Sequence, residues 1–385
     1  MTLPLSADED YYRAGTLVQR ERVVMTASEG ANYAPAPMPQ PVVGPGEFVF
    51  AAVCLDHGHI YGMSEGLIGA GATLKWVFDP DQAKVEAFRQ KFPQAMAASS
   101  EAEVLEDPEV RLVAGAAVPS ERADLGLRVM AAGKDYFTDK TPLTTLEQLE
   151  AVRAACASTG RKYAVYYSER LHVEAAVLAG QLIERGAIGK VLEVIGLGPH
   201  RIGGLDTRPD WFYERDKFGG ILCDIGSHNF EQMLYFTGAS DAEVVSASVA
   251  NYAHPEYPEF EDFGNAQIVM DNCTTGFVRV DWFTPHGLRT WGDGRTIILG
   301  TDGYIELRKY INIGTDEGGG HVFLVNREGE QHINATGRVG YPFFGAFVRD
   351  CLDRTENAMT QEHALKAAEI SVKAQLAARV LTPAR

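Results

Sequence analysis

An aspartate and a histidine four residues apart, Asp224 and His228, are the groups in this chain best suited to proton chemistry. They follow the breaker Gly219-Gly220 and head an apolar-periodic run of Phe230, Met233, Leu234 and Phe236, which predicts a helix over 223–236. Residues four apart share a helix face. Asp224 can then hold the tautomer and charge of His228, as a general base working near neutral pH requires. Lys140, within Asp139-Lys140-Thr141-Pro142, lies upstream at the end of an alternating strand–helix region. An ammonium there can steady an alkoxide as it forms. Together these groups suggest a dehydrogenase, with His228 as base, Asp224 as its orienter and Lys140 as alkoxide stabiliser; Lys140 with a depressed pKa is the alternative base. A structural reading of the pair is an N-cap beside a satisfied buried histidine. Asp224, His228 and Glu231 also share a spacing suited to a metal, but without other nearby ligands no metal site is expected.

At 385 residues the chain exceeds what one core usually supports, so two domains are the default. The net charge of −17, from 35 basic and 52 acidic residues, argues against nucleic acid or an anionic membrane as main partner. A local basic pocket is still compatible with it: Arg201, Arg208, Arg215, Arg289 and Arg295 all fall in the second half. Five scattered cysteines without a Cys-x-x-Cys pair read as reduced thiols of a cytoplasmic protein. No apolar run reaches the roughly 20 residues of a membrane span, and no basic stretch followed by an apolar one marks a secretory leader.

Residues 1–47 form an acidic and Pro-rich extension, an arm over its own or a neighbouring subunit or else a disordered tail. From Phe48 onward strands and helices alternate. Strands are expected over 48–55, 73–78, 110–118, 135–138 and 163–167, and the intervening helices include two opened by the capping-box signatures Ser100/Glu103 and Thr144/Glu147. That rhythm gives a doubly wound parallel Rossmann sheet over 48–168. Residues 169–385 read as an α+β domain with a large, mostly antiparallel sheet, from strands over 243–252, 265–270, 275–282, 295–299, 304–308 and 321–325. Helices are expected over 173–185, 343–353 and 361–380, the last able to pack back on the first domain.

A doubly wound sheet binds ligands at the carboxyl ends of its strands, a dinucleotide over the first strand–helix turn. Here that turn reads Cys54-Leu55-Asp56-His57-Gly58-His59-Ile60-Tyr61-Gly62, without a Gly-x-Gly-x-x-Gly pattern. Asp56 stands where a close-approach glycine is expected and would repel a pyrophosphate. His57, His59 and the helix N-terminus around Ile60 offer donors instead. Asp79, closing the second strand, can accept from both ribose hydroxyls of NAD and repel the extra phosphate of NADP; Asp-Pro-Asp is equally ordinary turn chemistry. Pro119 and Asp139, after later strands of the same sheet, complete the expected cofactor contacts. NAD is therefore favoured, with NADP less so.

Four further segments carry a resemblance. They are Ala131-Ala132-Gly133-Lys134 before the strand leading to Asp139-Lys140-Thr141-Pro142, then Gly186-Ala187-Ile188-Gly189-Lys190-Val191, and Gly219-Gly220-Ile221-Leu222-Cys223-Asp224-Ile225-Gly226-Ser227-His228. In order and spacing they resemble the glucose–fructose oxidoreductase / inositol dehydrogenase (Gfo/Idh/MocA) family from Phe48 onward. The resemblance implies that Lys140, Asp224 and His228 line the nicotinamide and substrate. It also implies oxidation of a secondary hydroxyl of a sugar, cyclitol or similar polyol, or the reverse reaction. Two features depart from the family pattern: the proline of its Glu-Lys-Pro motif lies one place later here, and the glycine loop is replaced.

Gly198-Pro199-His200-Arg201, Pro209-Asp210-Trp211-Phe212 and the stretch from Trp282 to Arg295 are dense in aromatic and polar side chains. They suit a sugar ring or, alternatively, an oligomer interface. His200, Arg201, Trp211, Trp282 and Arg295 are thus candidate substrate contacts. Arg170, after the last Rossmann strand, is another, or else a partner for Glu169. Two other functions use the same scaffold: an NAD-retaining glycosidase or isomerase that oxidises transiently, and a non-catalytic sensor. The resemblance also implies a homodimer or homotetramer.

Overall fold

The computed structural model describes residues 40–205, 208–315 and 317–382; residues 1–39 of the N-terminal extension lie outside them. Six strands, β1 (Val49–Val53), β2 (Thr73–Phe78), β3 (Met96–Ala97), β4 (Val110–Gly115), β5 (Asp135–Asp139) and β6 (Tyr163–Tyr166), make one parallel sheet in the order β3-β2-β1-β4-β5-β6. β1 is buried along its whole length, as a strand covered on both faces must be. Its neighbours β2 and β4 lie on opposite sides, so the chain reverses direction across the sheet there and opens a crevice at the strands' carboxyl ends. The helices of this half are α1 (His59–Gly69), α2 (Gln82–Lys91), α3 (Glu101–Glu106), α4 (Arg122–Ala131) and α5 (Leu146–Thr159). The cap of α5 is Thr145, whose side chain accepts from Gln148 N at 3.2 Å, while Gln148 accepts from Thr144 N at 2.9 Å. The capping box expected at Thr144/Glu147 is therefore shifted by one residue.

Two helices, α6 (Ser168–Leu171) and α7 (Glu174–Glu184), lead into the second half. Next come β7 (Val191–Pro199), α8 (Arg215–Phe218), α9 (Ile221–Asp224) and α10 (Gly226–Thr237). Then follow β8 (Ala242–Ala250), β9 (Phe263–Met270), β10 (Thr275–Asp281), β11 (Arg295–Gly300) and β12 (Gly303–Arg308). The last elements are β13 (Ile311–Asn312), β14 (Glu317–Gly318), β15 (His321–Asn326), β16 (Gly329–Asn334), α11 (Pro342–Asp353), α12 (Gln361–Ala377) and β17 (Arg379–Leu381). Nine strands form a sheet ordered β16-β15-β12-β11-β7-β10-β9-β8-β17, antiparallel except for the β7/β10 and β8/β17 pairs.

The expected fold, a Rossmann sheet followed by a large, mostly antiparallel sheet, is the one observed. Details differ. The helix expected over 223–236 is broken at Ile225 into α9 and α10. The final helix ends at Ala377, because Arg379–Leu381 pair with β8 as an edge strand. Among the described residues no helix is long and apolar enough to cross a membrane, and all five cysteines are free thiols.

Helices α7, α10 and α12 cover one face of the nine-stranded sheet, with period-two alternation along β9 and β11 burying every second residue. The opposite face leaves Phe277 on β10, Ile297 and Leu299 on β11 and Tyr304 on β12 exposed. The loop after β10 folds over the end of β7, so that Trp291 and His200 meet with ring centroids 4.4 Å apart. Gly292 permits this approach: a Cβ there would lie 2.3 Å from the Pro199 carbonyl oxygen. Backbone cannot yield cheaply, so Gly292→Ala is expected to cost about 1–3 kcal/mol, read as a lower midpoint in urea unfolding. An unchanged midpoint would show that the loop is not held against β7.

Candidate active site

The carboxyl ends of β1, β5 and β6 meet α10 and the loops of the second sheet around one cavity. Its lining includes His57, His59, Lys140, Glu169, His200, Arg208, Asp224, His228, Trp282, Trp291 and Tyr310. Lys140 projects from the end of β5, and its ammonium donates to Asp224 at the end of α9. Both side chains are largely buried. Burial alone would raise the Asp224 pKa, but the Lys140 charge overrides it and holds the carboxyl below its ordinary value.

The expected Asp224–His228 dyad is not formed. Asp224 faces Lys140, and the buried Nδ1 of His228 has no hydrogen-bond partner. The reason is the Lys140 ammonium beside Asp224: a buried ammonium is a stronger partner for a carboxylate than a neutral imidazole. Burial, reinforced by Lys140, His59 and His200, pushes His228 down to about 3. His228 is therefore uncharged at neutral pH.

Asp139 is fully buried, and its two oxygens lie 2.8 Å from His57 Nδ1 and 2.7 Å from His59 Nδ1. Arg122 donates to the same carboxylate at 3.1 Å and to the backbone oxygens of Ala117, Lys140 and Thr141. Burial pushes His57 down to about 3, so that ring is neutral. An ionised Asp139 can only accept, and it receives the Nδ1–H of His59, while His57 Nδ1 faces both its other oxygen and the His59 backbone N–H at 3.4 Å. The ligating atoms of His57, His59 and Asp139 lie within 4.8 Å of one another, as metal ligands do. Arg122 already balances the Asp139 charge, however, and Lys140 stands beside it. The trio is thus satisfied as a hydrogen-bonded cluster that fixes two imidazoles at the cavity wall.

Other expected contacts divide. His200 and Trp282 line the cavity, as does Trp291 from the same aromatic-rich stretch. Arg170 does not: its guanidinium binds Glu231 at 2.5 Å and lies 4.0 Å over the Tyr235 ring. Arg201 donates to the carbonyl oxygens of Pro285, Leu288 and Thr290 and so holds a loop. Arg295 is turned to Asp293, and Trp211 packs its edge on Phe212 outside the cavity. Glu231 pairs with Arg170 and His363, so it does not join Asp224 and His228 in a ligand set.

At the cofactor crevice Asp56 is engaged by Lys84 at 2.6 Å. Asp79 is 2 % exposed and accepts from Leu55 N at 2.6 Å and Asp81 N at 2.8 Å. Both of its oxygens thus serve the turn at the end of β2, the alternative weighed for this residue. Ile60 is wholly buried in the core, so its side chain is no cofactor contact. Pro119 opens the turn Pro119–Glu121 beyond β4, on the crevice side. The N-terminus of α1 has no side-chain cap and no carboxylate in its first turn, which suits a pyrophosphate.

Glu169, Lys309 and Tyr310 were not among the residues expected in the site. Glu169 follows β6 directly, so the rule that ligands gather at strand carboxyl ends could have found it. Nothing local marks Lys309 or Tyr310, which come from the distant β12–β13 connection.

Family models match two stretches of the chain. Residues 56–167 match the "Oxidoreductase family, NAD-binding Rossmann fold", and residues 177–306 match the "GFO/IDH/MocA C-terminal domain". A crystal structure described as that of an oxidoreductase from Erwinia carotovora atroseptica SCRI1043 is 52% identical, with a TM-score of 0.85 over 87% of this chain and 100% of that one. D-xylose dehydrogenase of Paenarthrobacter nicotinovorans is 26% identical over 38% of this chain and 39% of its own length. The scyllo-inositol 2-dehydrogenase (NAD(+)) of Bacillus subtilis (strain 168) is 26% identical over 61% of this chain and 66% of its own. The chain thus spans about two fifths and two thirds of these curated relatives. With both domain models matched in order on the observed fold, the chain belongs to the Gfo/Idh/MocA family of oxidoreductases.

Proposed function

We propose that this protein transfers hydride between a secondary hydroxyl of a sugar, cyclitol or related polyol and a nicotinamide dinucleotide, with NAD preferred to NADP. One observation carries the polyol reading. Glu169 Oε1, His228 Nδ1, Trp282 Nε1 and Trp291 Nε1 are buried without hydrogen-bond partners, and all four residues line the same cavity. Buried polar atoms are ordinarily paired. A ligand that donates and accepts from several hydroxyls satisfies acceptors and indole donors together, and its apolar faces suit the indole rings.

The cofactor, when bound, supplies the carbon that accepts or returns hydride. The N-terminus of α1, Gly58 and the turn at Pro119 after β4 would hold it. Around the ends of β1 and β2 the carboxylates Asp56, Asp79 and Asp81 outnumber Lys84, a charge balance that opposes a ribose phosphate even though Asp79 is itself occupied. In the polyol-oxidising direction Lys140 donates to the reacting oxygen while Asp224 keeps the ammonium in place. His228, uncharged at neutral pH, takes the hydroxyl proton. Arg122 and Asp139 hold the turn that carries Lys140.

We further propose a cytoplasmic homodimer or homotetramer whose subunits meet through the exposed sheet face bearing Phe277, Ile297, Leu299 and Tyr304. An apolar face of this extent suits a permanent interface.

These readings have direct tests. His228→Ala should lower turnover about 10²–10⁴-fold with NAD affinity almost unchanged; near-normal turnover would remove His228 from the chemistry. Parallel calorimetric titrations should give NAD binding about tenfold or more tighter than NADP, and the reverse order would refute the charge argument. Light scattering should find an oligomer that Phe277→Glu converts to smaller species, whereas a monomeric native protein would exclude the sheet-face interface.

A further inference from the structure

Glu169 sits on the four-residue α6 directly after β6, 2 % exposed. Its Oε2 accepts from Lys309, an ammonium wholly buried after β12 in the second domain. Its Oε1 has no hydrogen-bond partner. Its Oε1 lies 3.6 Å from His200 Nε2, too far for a hydrogen bond.

The tautomer of His200 explains that gap. Its Nδ1 lies 3.2 Å from the Gly198 carbonyl oxygen, which can only accept, so Nδ1 carries the proton. Burial pushes the ring down to about 4, leaving it neutral, and Nε2 then presents a lone pair. Although burial alone would raise Glu169, Lys309, His228 and His200 bring it down to about 2. Two acceptors, one of them anionic, therefore face each other at the cavity wall with no proton between them. Donors delivered to both would lift the cost of leaving buried acceptors unpaired.

We propose that Glu169 Oε1 and His200 Nε2 form a diol clamp, accepting one O–H each from adjacent hydroxyls of the substrate. The substrate class is thereby narrowed to polyols with a vicinal diol beside the oxidised carbinol, and simple secondary alcohols are excluded. Lys309 acts through Glu169 as a positioning residue. The inference rests on the polyol reading above and deepens it.

The test compares the native chain with Glu169→Gln, using scyllo-inositol and its monodeoxy analogue in calorimetric binding and in steady-state kinetics with NAD. The substitution removes the negative charge, and the new amide can donate to His200 Nε2, closing the clamp on itself. The variant should bind scyllo-inositol roughly 10–100-fold more weakly, seen as a raised KM, while kcat at saturation and NAD affinity stay within a few-fold. The native protein should discriminate against the deoxy analogue by a similar factor, and the variant should not. If Glu169→Gln is unstable, Glu169→Met with Lys309→Met removes both charges together and must show the same loss of discrimination.

Unchanged polyol affinity in a folded variant, or a native protein indifferent to the missing hydroxyl, would overturn the clamp. Binding with full discrimination but no NADH formation would sink the dehydrogenase reading and leave the clamp standing. Failure of the native protein to bind any polyol tested, D-xylose included, would overturn both.

Discussion

The buried guanidinium of Arg122 is the constraint on which the site depends. A cation 1 % exposed must be paired and hydrogen-bonded or it costs several kcal/mol. Here it is satisfied by the Asp139 carboxylate and by three backbone oxygens, at Ala117, Lys140 and Thr141. Those oxygens belong to the ends of two adjacent strands, so one side chain fixes the turn from which Lys140 projects. Through Asp139 the same cation governs His57 and His59, and through Lys140 it sets where Asp224 of the other domain must sit. A glycine loop usually shapes such a crevice; a charged cluster does so here.

The strand–helix rhythm of the first half and the strand-rich second half were legible because burial writes itself into local patterns: the unbroken apolar run of β1, the alternation of β9 and β11. The membership of the site was partly legible for the same reason. Lys140, His59, His200, His228 and Trp282 lie where elements end, and ends can be read. Partners were harder to read. Spacing placed Asp224 beside His228, but a competing ammonium turned it to Lys140. Arg170 was expected beside the substrate or bound to Glu169. Successive residues on α6 point in different directions, and they send Glu169 to Lys309 and Arg170 to Glu231. Lys309 lies 140 residues from Glu169 in the chain, a separation over which no local pattern speaks. Asp79 was readable only as one of two roles, because a carboxylate ending a strand serves a turn as readily as a ribose.

Charges around the cavity are matched in pairs drawn from distant parts of the chain: Lys140 with Asp224, Lys309 with Glu169. Each pair holds its ions in place, and His200 and His228 between them stay neutral. The polar groups left open are thus mostly uncharged or half-used, which favours recognition by hydroxyl geometry over attraction to an anion.

Helix α12 has a consequence for the molecule as a whole. Arg153 on α5 binds Glu362 and Glu369, and Gln361 exchanges hydrogen bonds with the backbone of Tyr163 in the first domain. Further along, Gln375 receives the Leu222 N–H and donates to Glu261 in the second. The last helix of the chain is therefore a stitch between halves that are otherwise separate sheets. Neither half has its full set of contacts until synthesis reaches this helix, so the two should melt as one cooperative unit, and a chain stopped short of residue 361 would leave both incomplete.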